Sequence, residues 1–246
     1  MKINIRALVV VLFIALMLIL SIPFMLIAFV AGYINMGVRD RIAQIVIKVI
    51  ANGVSFLCGT TRTVIGLDRI PKDEAVLFVG NHRSYFDIVQ AYVLIPNLTG
   101  FVAKKEMNRV PLMNFWMRYL HCLFLDRNDI KQGMQTILKA IELIKSGICI
   151  FIFPEGTRSP KKEMLPFKGG SLKIAEKSGC PIVPVAFSNT GDILEDHMGR
   201  IYPKHIVIEF GNPIYPNELS KEEKKFLSSR VQGLIQDMLN KNEALI

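Results

Sequence analysis

The sequence predicts an α/β fold: a single domain built on a mixed, largely buried β-sheet flanked by helices, preceded by N-terminal membrane-associated helices. Three observations predict it. From about residue 59 onward, strand-like and helix-like runs alternate, the pattern of a sheet with helices packed on it. Several strand-like runs are apolar without interruption, as in strands covered on both faces. No charged residue occurs over residues 7–38, a run of 32.

That uncharged run comes first in the chain. As a straight helix it extends about 48 Å at 1.5 Å per residue, against a hydrocarbon core of roughly 30 Å. It is long enough to cross a bilayer, and Pro23 is a point at which it kinks or turns back. Crossing the bilayer and inserting into one leaflet both stay open. A cleaved export signal fits less well, although residues 1–6 make a short basic start. The run exceeds the usual ~7–15 apolar residues, and no small-residue cleavage site follows it. Over residues 39–58, Ile42, Ile45, Val46, Val49, Ile50 and Phe56 are interspersed with Arg39, Asp40, Arg41, Gln44, Lys48 and Asn52. Helical spacing collects most of the apolar set on one broad face, which suits a helix in the membrane interface and equally one packed on the domain. Residues 1–58 are therefore expected to be membrane-anchoring helices and residues 59–246 the folded domain. Arg39, Arg41 and Lys48 outnumber Lys2 and Arg6 as positive flanks, which points the domain toward the cytoplasm.

Within the domain, residues 63–65, 75–79, 101–103, 122–125, 148–153, 182–187 and 205–210 read as strands. Residues 88–94, 112–119, 131–145 and 171–178 read as helices, with Ser146-Gly147 stopping the third. A last helix opens on the capping-box spacing of Ser220 and Glu223 and places Leu227, Val231, Leu234, Ile235 and Met238 on one face.

Composition narrows the partners. The chain is 51% hydrophobic and carries a formal charge of +9, with a mean hydropathy of +0.35. A basic balance attracts anions. No compact Lys/Arg run, zinc-finger spacing or aromatic-basic ribonucleoprotein pattern supports nucleic acid, and the apolar start makes an anionic lipid surface the natural partner. Cys58, Cys122, Cys149 and Cys180 stand singly, as buried reduced thiols do. His121, His197 and His205 form no metal-ligand spacing. Neither a dinucleotide fingerprint nor a phosphate-binding loop is present, so neither a catalytic metal nor a nucleotide is expected.

Four runs carry chemistry. Asn81-His82-Arg83-Ser84-Tyr85-Phe86-Asp87 follows the second strand and sets a histidine and an aspartate five residues apart. An imidazole can take a proton near neutral pH, and a carboxylate can fix its tautomer and stabilise the imidazolium. Ser84 lacks the setting of a nucleophile elbow and reads better as the cap of a helix beginning near Tyr85. Phe153-Pro154-Glu155-Gly156-Thr157-Arg158-Ser159 follows the fifth strand. Gly156 lets backbone approach an anion, and Arg158 can grip a phosphate with two parallel bonds. Glu155 suits orienting an arginine or bonding a hydroxyl more than touching phosphate. Lys105 and the Arg127 of Phe124-Leu125-Asp126-Arg127 offer further positive charge. Lys105 also reads as an ordinary solvated lysine, and Arg127 as the partner of Asp126 or Asp129. Ile182-Val183-Pro184-Val185-Ala186-Phe187 is the fourth run.

In order and spacing these runs resemble the glycerolipid acyltransferase family, whose best-known members are 1-acylglycerol-3-phosphate O-acyltransferases. The likeness extends over roughly residues 63–187. It implies a membrane-bound enzyme of phospholipid synthesis that moves a fatty acyl group from acyl-CoA or acyl carrier protein to the free hydroxyl of lysophosphatidic acid, giving phosphatidic acid. It implies no cofactor beyond that donor substrate, and a location in the cell membrane. His82 and Asp87 become the catalytic pair. Lys105, Arg127, Glu155, Gly156, Thr157 and Arg158 become the substrate phosphate-binding set. Glycerol 3-phosphate or another lysophospholipid is the nearest alternative acceptor. A lipid hydrolase using Ser84 and a non-catalytic anionic-lipid-binding module are the others. Asn114 and His121 stand where members more usually carry glycine, which bears on local backbone shape.

Overall fold

A computed structural model describes residues 4–246; Lys2, named above as a positive flank, lies outside them. The uncharged run folds as two helices, α1 (Ile5–Leu20) and α2 (Ile22–Ile34), bent by 44°. The bend falls at Ser21. Its hydroxyl donates to the Leu18 carbonyl at 2.7 Å and accepts from the Trp116 indole at 2.9 Å. Pro23 lies two residues later, in the first turn of α2, where its missing N–H costs no helical bond. Asn35 then caps α3 (Met36–Leu57). Among the described residues no single helix is long and apolar enough to cross a membrane; α1 and α2 meet that length and composition only as a bent pair.

Seven strands follow: β1 (Thr61–Ile65), β2 (Leu77–Gly80), β3 (Thr99–Lys104), β4 (Leu123–Leu125), β5 (Cys149–Ile152), β6 (Ile182–Ser188) and β7 (His205–Phe210). They form one sheet in the order β1-β7-β6-β2-β5-β3-β4. Every pairing is parallel except that of β6 with β7. The mixed, buried sheet expected from the sequence is thus present. Its helices are α4 (Tyr85–Leu94), α5 (Met113–Tyr119), α6 (Ile130–Lys145), α7 (Lys173–Ser178), α8 (Lys221–Lys225) and α9 (Leu227–Asn242).

The alternation of strand side chains divides the interior into two layers. Phe78, Phe151, Val183, Val185 and Phe187 face the layer shared with α1, α3, α4 and α5. Leu77, Val79, Ile150, Ile152 and Ile182 face the layer shared with α6, α7 and α9. The N-terminal helices join the first layer through Ala7, Val10, Ala28, Ala43, Ile50 and Val54. Their other faces leave Leu8, Leu12, Leu16, Phe24, Ile27 and Val30 among many exposed apolar side chains. The four cysteines are buried and free. Burial pushes the Cys149 thiol up to about 11, so it stays an unreactive core residue.

One expectation is corrected, that of an uninterrupted C-terminal helix with Leu234 on its apolar face. The C-terminal helix is interrupted at Phe226, whose backbone (φ −104°, ψ 8°) separates α8 from α9. Leu227, Val231 and Ile235 are buried at a four-residue repeat, but Leu234 is exposed on the flank. His121 replaces a glycine by adopting the left-handed backbone itself (φ 57°). Its ring bonds Asp40 of α3 at 2.7 Å. Burial raises the Asp40 carboxyl, but its bonds to His121 and Arg39 outweigh that and hold it below the ordinary carboxylate value.

Candidate active site

Strands β6, β2, β5, β3 and β4 are consecutive in the sheet and all run parallel. Their C-terminal ends therefore lie along one edge, the position at which open α/β sheets bind ligands. The chain leaves β2 into His82, β5 into the Glu155–Arg158 turn, β3 into Lys105 and β4 into Arg127. Neighbouring strands lie about 4.8 Å apart. Arg158 thus emerges one strand from His82, Lys105 two strands and Arg127 three.

Ser84 caps α4, and Asp87 at the third helical position completes a capping box. Helix initiation therefore dictates where the aspartate sits. Asp87 is wholly buried. Its Oδ2 accepts from His82 Nδ1 at 2.9 Å, from the Arg83 N–H at 2.8 Å and from the Ser84 N–H at 2.8 Å. Its Oδ1 accepts from the Thr190 hydroxyl at 2.6 Å. A carboxylate already accepting from two backbone N–H groups takes the imidazole Nδ1 as a donor, which leaves Nε2 as the basic nitrogen. Nε2 has no hydrogen-bond partner among the described residues. The ring stacks on Phe153, with centroids 4.0 Å apart and planes 16° apart.

The other runs are stitched to the same point. The Asn81 side chain bonds both backbone groups of Phe187, accepting from its N–H at 2.8 Å and donating to its carbonyl at 3.0 Å. Glu155, nearly fully buried, accepts from the His82 N–H at 2.6 Å and the Leu165 N–H at 2.8 Å. The Ser159 N–H donates to the His82 carbonyl at 2.8 Å. Both backbone groups of His82 are thus held by the turn after β5. Burial raises the Glu155 carboxyl above its ordinary value, more than its two N–H bonds lower it. Among the described residues Glu155 has no arginine partner; both its oxygens accept from backbone N–H groups, and it fastens the His82 loop.

Gly156 adopts a left-handed backbone (φ 74°), and a Cβ there would meet the Lys168 ammonium at 2.7 Å. Lys168, which no motif singled out, therefore lies over this turn. Thr157 is exposed. Arg158 donates to Glu195 at 2.9 Å and lies over the Tyr85 ring, 3.8 Å from its centroid. Lys105 is exposed and pairs with Asp126 at 2.5 Å, whose carboxylate raises the ammonium above its ordinary value. Arg127 has no carboxylate in salt-bridge range among the described residues, and Asp129 caps α6 instead of pairing with it. Ser84 is wholly buried, and its hydroxyl donates to Glu195 at 2.5 Å.

Sequence reasoning missed Arg83, Thr190, Glu195 and Asp196. Arg83 donates to the Ser159 carbonyl at 2.8 Å and pairs with Asp196. The last three occupy a polar loop with no recognisable spacing, so only the fold brings them to the site. Among the described residues no group of three or more His, Cys, Asp or Glu is placed to hold a metal ion.

Comparison with known proteins accords with this arrangement. The profile of the acyltransferase family matches residues 61–188. The 1-acyl-sn-glycerol-3-phosphate acyltransferase of Saccharomyces cerevisiae is 29% identical over 189 residues, 76% of this chain and 62% of the relative. The chain therefore spans less than two thirds of that relative's length. The protein of the same name from Borreliella burgdorferi is 30% identical over 188 residues, 73% of this chain and 72% of its own. The crystal structure of the 1-acyl-sn-glycerophosphate (LPA) acyltransferase PlsC from Thermotoga maritima superposes with a TM-score of 0.82 at 26% identity, covering 98% of this chain and 97% of that one.

Proposed function

This chain belongs to the acyltransferase family, and we propose that it transfers a fatty acyl group from a thioester, acyl-CoA or acyl carrier protein, to the free hydroxyl of lysophosphatidic acid. The observation that carries the reading is the Nε2 of His82, which has no hydrogen-bond partner among the described residues while Asp87 holds Nδ1 at 2.9 Å. The names of the yeast, Borreliella and Thermotoga relatives support the acceptor.

In the proposed reaction the acceptor hydroxyl gives its proton to His82 Nε2 as its oxygen attacks the thioester carbonyl. Asp87 stabilises the imidazolium that forms. The tetrahedral intermediate collapses, the carbon–sulfur bond breaks, and the departing thiolate takes the proton back from His82. The Phe153 face and the buried surroundings keep the ring in one plane, which aids orientation. Arg158, Lys105 and Arg127 attract the acceptor phosphate, with the Gly156 turn giving backbone access. A hydrolase using Ser84 is disfavoured by the burial of that hydroxyl against Glu195.

The exposed apolar faces of α1 and α2 and the amphipathic α3 support attachment to a membrane surface by residues 1–58, with the sheet domain on the cytoplasmic side. Lipid acceptor and product would then be exchanged at the leaflet. Acyl transfer by detergent-purified protein, comparing lysophosphatidic acid with glycerol 3-phosphate and both donor types, tests the reading. Transfer to lysophosphatidic acid that disappears in His82→Ala is the expected result. Transfer by His82→Ala at the wild-type rate contradicts the mechanism, and preference for glycerol 3-phosphate changes the acceptor.

A further inference from the structure

We propose that residues 190–196, which begin beyond the family-matched span, are a positioning strap for this site: Thr190 acts through Asp87, and Glu195 acts through Arg158. The inference rests on the acyl-transfer reading above. The strap leaves the C-terminal end of β6, on the same edge as the motifs. Thr190 is wholly buried, and its hydroxyl at 2.6 Å is the donor to Asp87 Oδ1. The other carboxylate oxygen takes three donors, from His82, Arg83 and Ser84. The Thr190 bond therefore opposes rotation of the carboxylate away from the plane that serves His82.

Glu195 does the corresponding work for the arginine. Its Oε1 accepts from Arg158 Nη1 and from the Tyr85 N–H, each at 2.9 Å, and its Oε2 accepts from the Ser84 hydroxyl at 2.5 Å. The guanidinium is then fixed at one nitrogen by Glu195 and on one face by Tyr85. A guanidinium carries five N–H donors, so a grip at one nitrogen sets its direction and leaves the rest of the fork for an acceptor phosphate. The strap is itself anchored. Asp196 pairs with Arg83, and Asp192 lies in ion-pair range of His197 and Lys204 at 2.9 and 2.6 Å. A Cβ on Gly191 would meet Arg83 Cγ at 2.7 Å, so the strap fits closely over the loop after β2.

Steady-state kinetics of the full chain with lysophosphatidic acid, varying acceptor and donor separately, test the proposal. Glu195→Ala should raise the acceptor KM about tenfold or more and leave kcat and the donor KM within about twofold. Combined with Arg158→Ala, it should add little to the loss of Arg158 alone, because the two act as one unit. Thr190→Val should lower kcat about tenfold with the acceptor KM unchanged, and Thr190→Ser should restore it. A lower acceptor KM in Glu195→Ala would mean that Glu195 occupies the phosphate's place and would overturn the proposal. Additive losses in the double variant, or equal losses in kcat and both KM values, would also overturn it. Thermal denaturation monitors folding, and Glu195→Gln, which keeps the shape and removes the charge, replaces Glu195→Ala if that variant does not fold. Wild-type transfer separates the two levels: with it present, variant results bear on the strap alone, whereas its absence with every phosphate-bearing acceptor overturns both readings.

Discussion

At the end of β2, Asp87 has four donors on its two oxygens and no exposed surface. At the end of β4, three strands away, Arg127 stands exposed with no carboxylate in salt-bridge range among the described residues, and its neighbour Lys105 pairs with the carboxylate of Asp126 near the surface. The two ends of one edge are built for different tasks. Proton transfer depends on sub-ångström placement, which dense buried bonding supplies. Attraction of a phosphate head depends mainly on charge within reach, which long exposed side chains supply with less order. On this account the dyad at the end of β2 sets the rate, Arg158 after β5 holds the phosphate beside it, and the open end around β3 and β4 adds only to affinity.

The sharpest way to break that contrast is at the dyad. His82→Ala should lower kcat by about 10²–10⁴-fold, and Asp87→Asn should fall in the same range because it upsets the tautomer. Single-turnover transfer by the folded variants checks both. Next comes Arg158→Ala. A charge-assisted bond contributes about 1.5–3 kcal/mol, so kcat/KM for the acceptor should drop roughly 10–150-fold while the donor constants hold. Equal effects on both substrates would count against the assignment.

Glu155 tests how far the fastening of His82 matters. Glu155→Ala leaves two buried N–H groups unpaired at about 1–3 kcal/mol each, so denaturant unfolding should show a loss of about 2–6 kcal/mol. Its titration gives a sign. The folded carboxyl lies above its ordinary 4.5 because of burial, so the folded state binds its proton more readily than the unfolded chain does. That contribution to stability is therefore greatest below 4.5 and declines as pH rises through the raised value. Glu155→Gln, which cannot ionise, should show less of this slope in unfolding curves taken across that window. The smallest effects belong to the open end: Lys105→Ala and Arg127→Ala should each raise the acceptor KM only severalfold, with the difference shrinking in high salt as screening grows. A collapse of kcat in either would erase the contrast.

The readable part of this molecule is the part fixed by local chemistry. Uninterrupted apolar runs such as residues 148–153 and 182–187 mark β5 and β6 because both faces of the sheet are covered. Ser84 announces the start of α4, since a cap and a third-position acid are a local requirement of helix initiation. His82 and Asp87 follow from the same short segment. Glu155 illustrates the limit: its residue type and motif are plain in the sequence, but its partners, the N–H groups of His82 and Leu165, are fixed by strand pairing. Thr190, Glu195 and Lys168 reach the site only through the parallel placement of strand ends, and nothing in their local sequence marks them. The bend between α1 and α2 falls at Ser21, in the turn that Pro23 disrupts, and only the fold shows that Trp116 from α5 holds the Ser21 hydroxyl there.

The division of labour is tested most directly by measuring kcat and acceptor KM side by side for Asp87→Asn and Arg127→Ala. The account predicts a collapse of kcat with little change in KM for the first, and a modest rise in KM with little change in kcat for the second. An acceptor KM effect confined to Asp87→Asn, or a kcat collapse in Arg127→Ala, would contradict it.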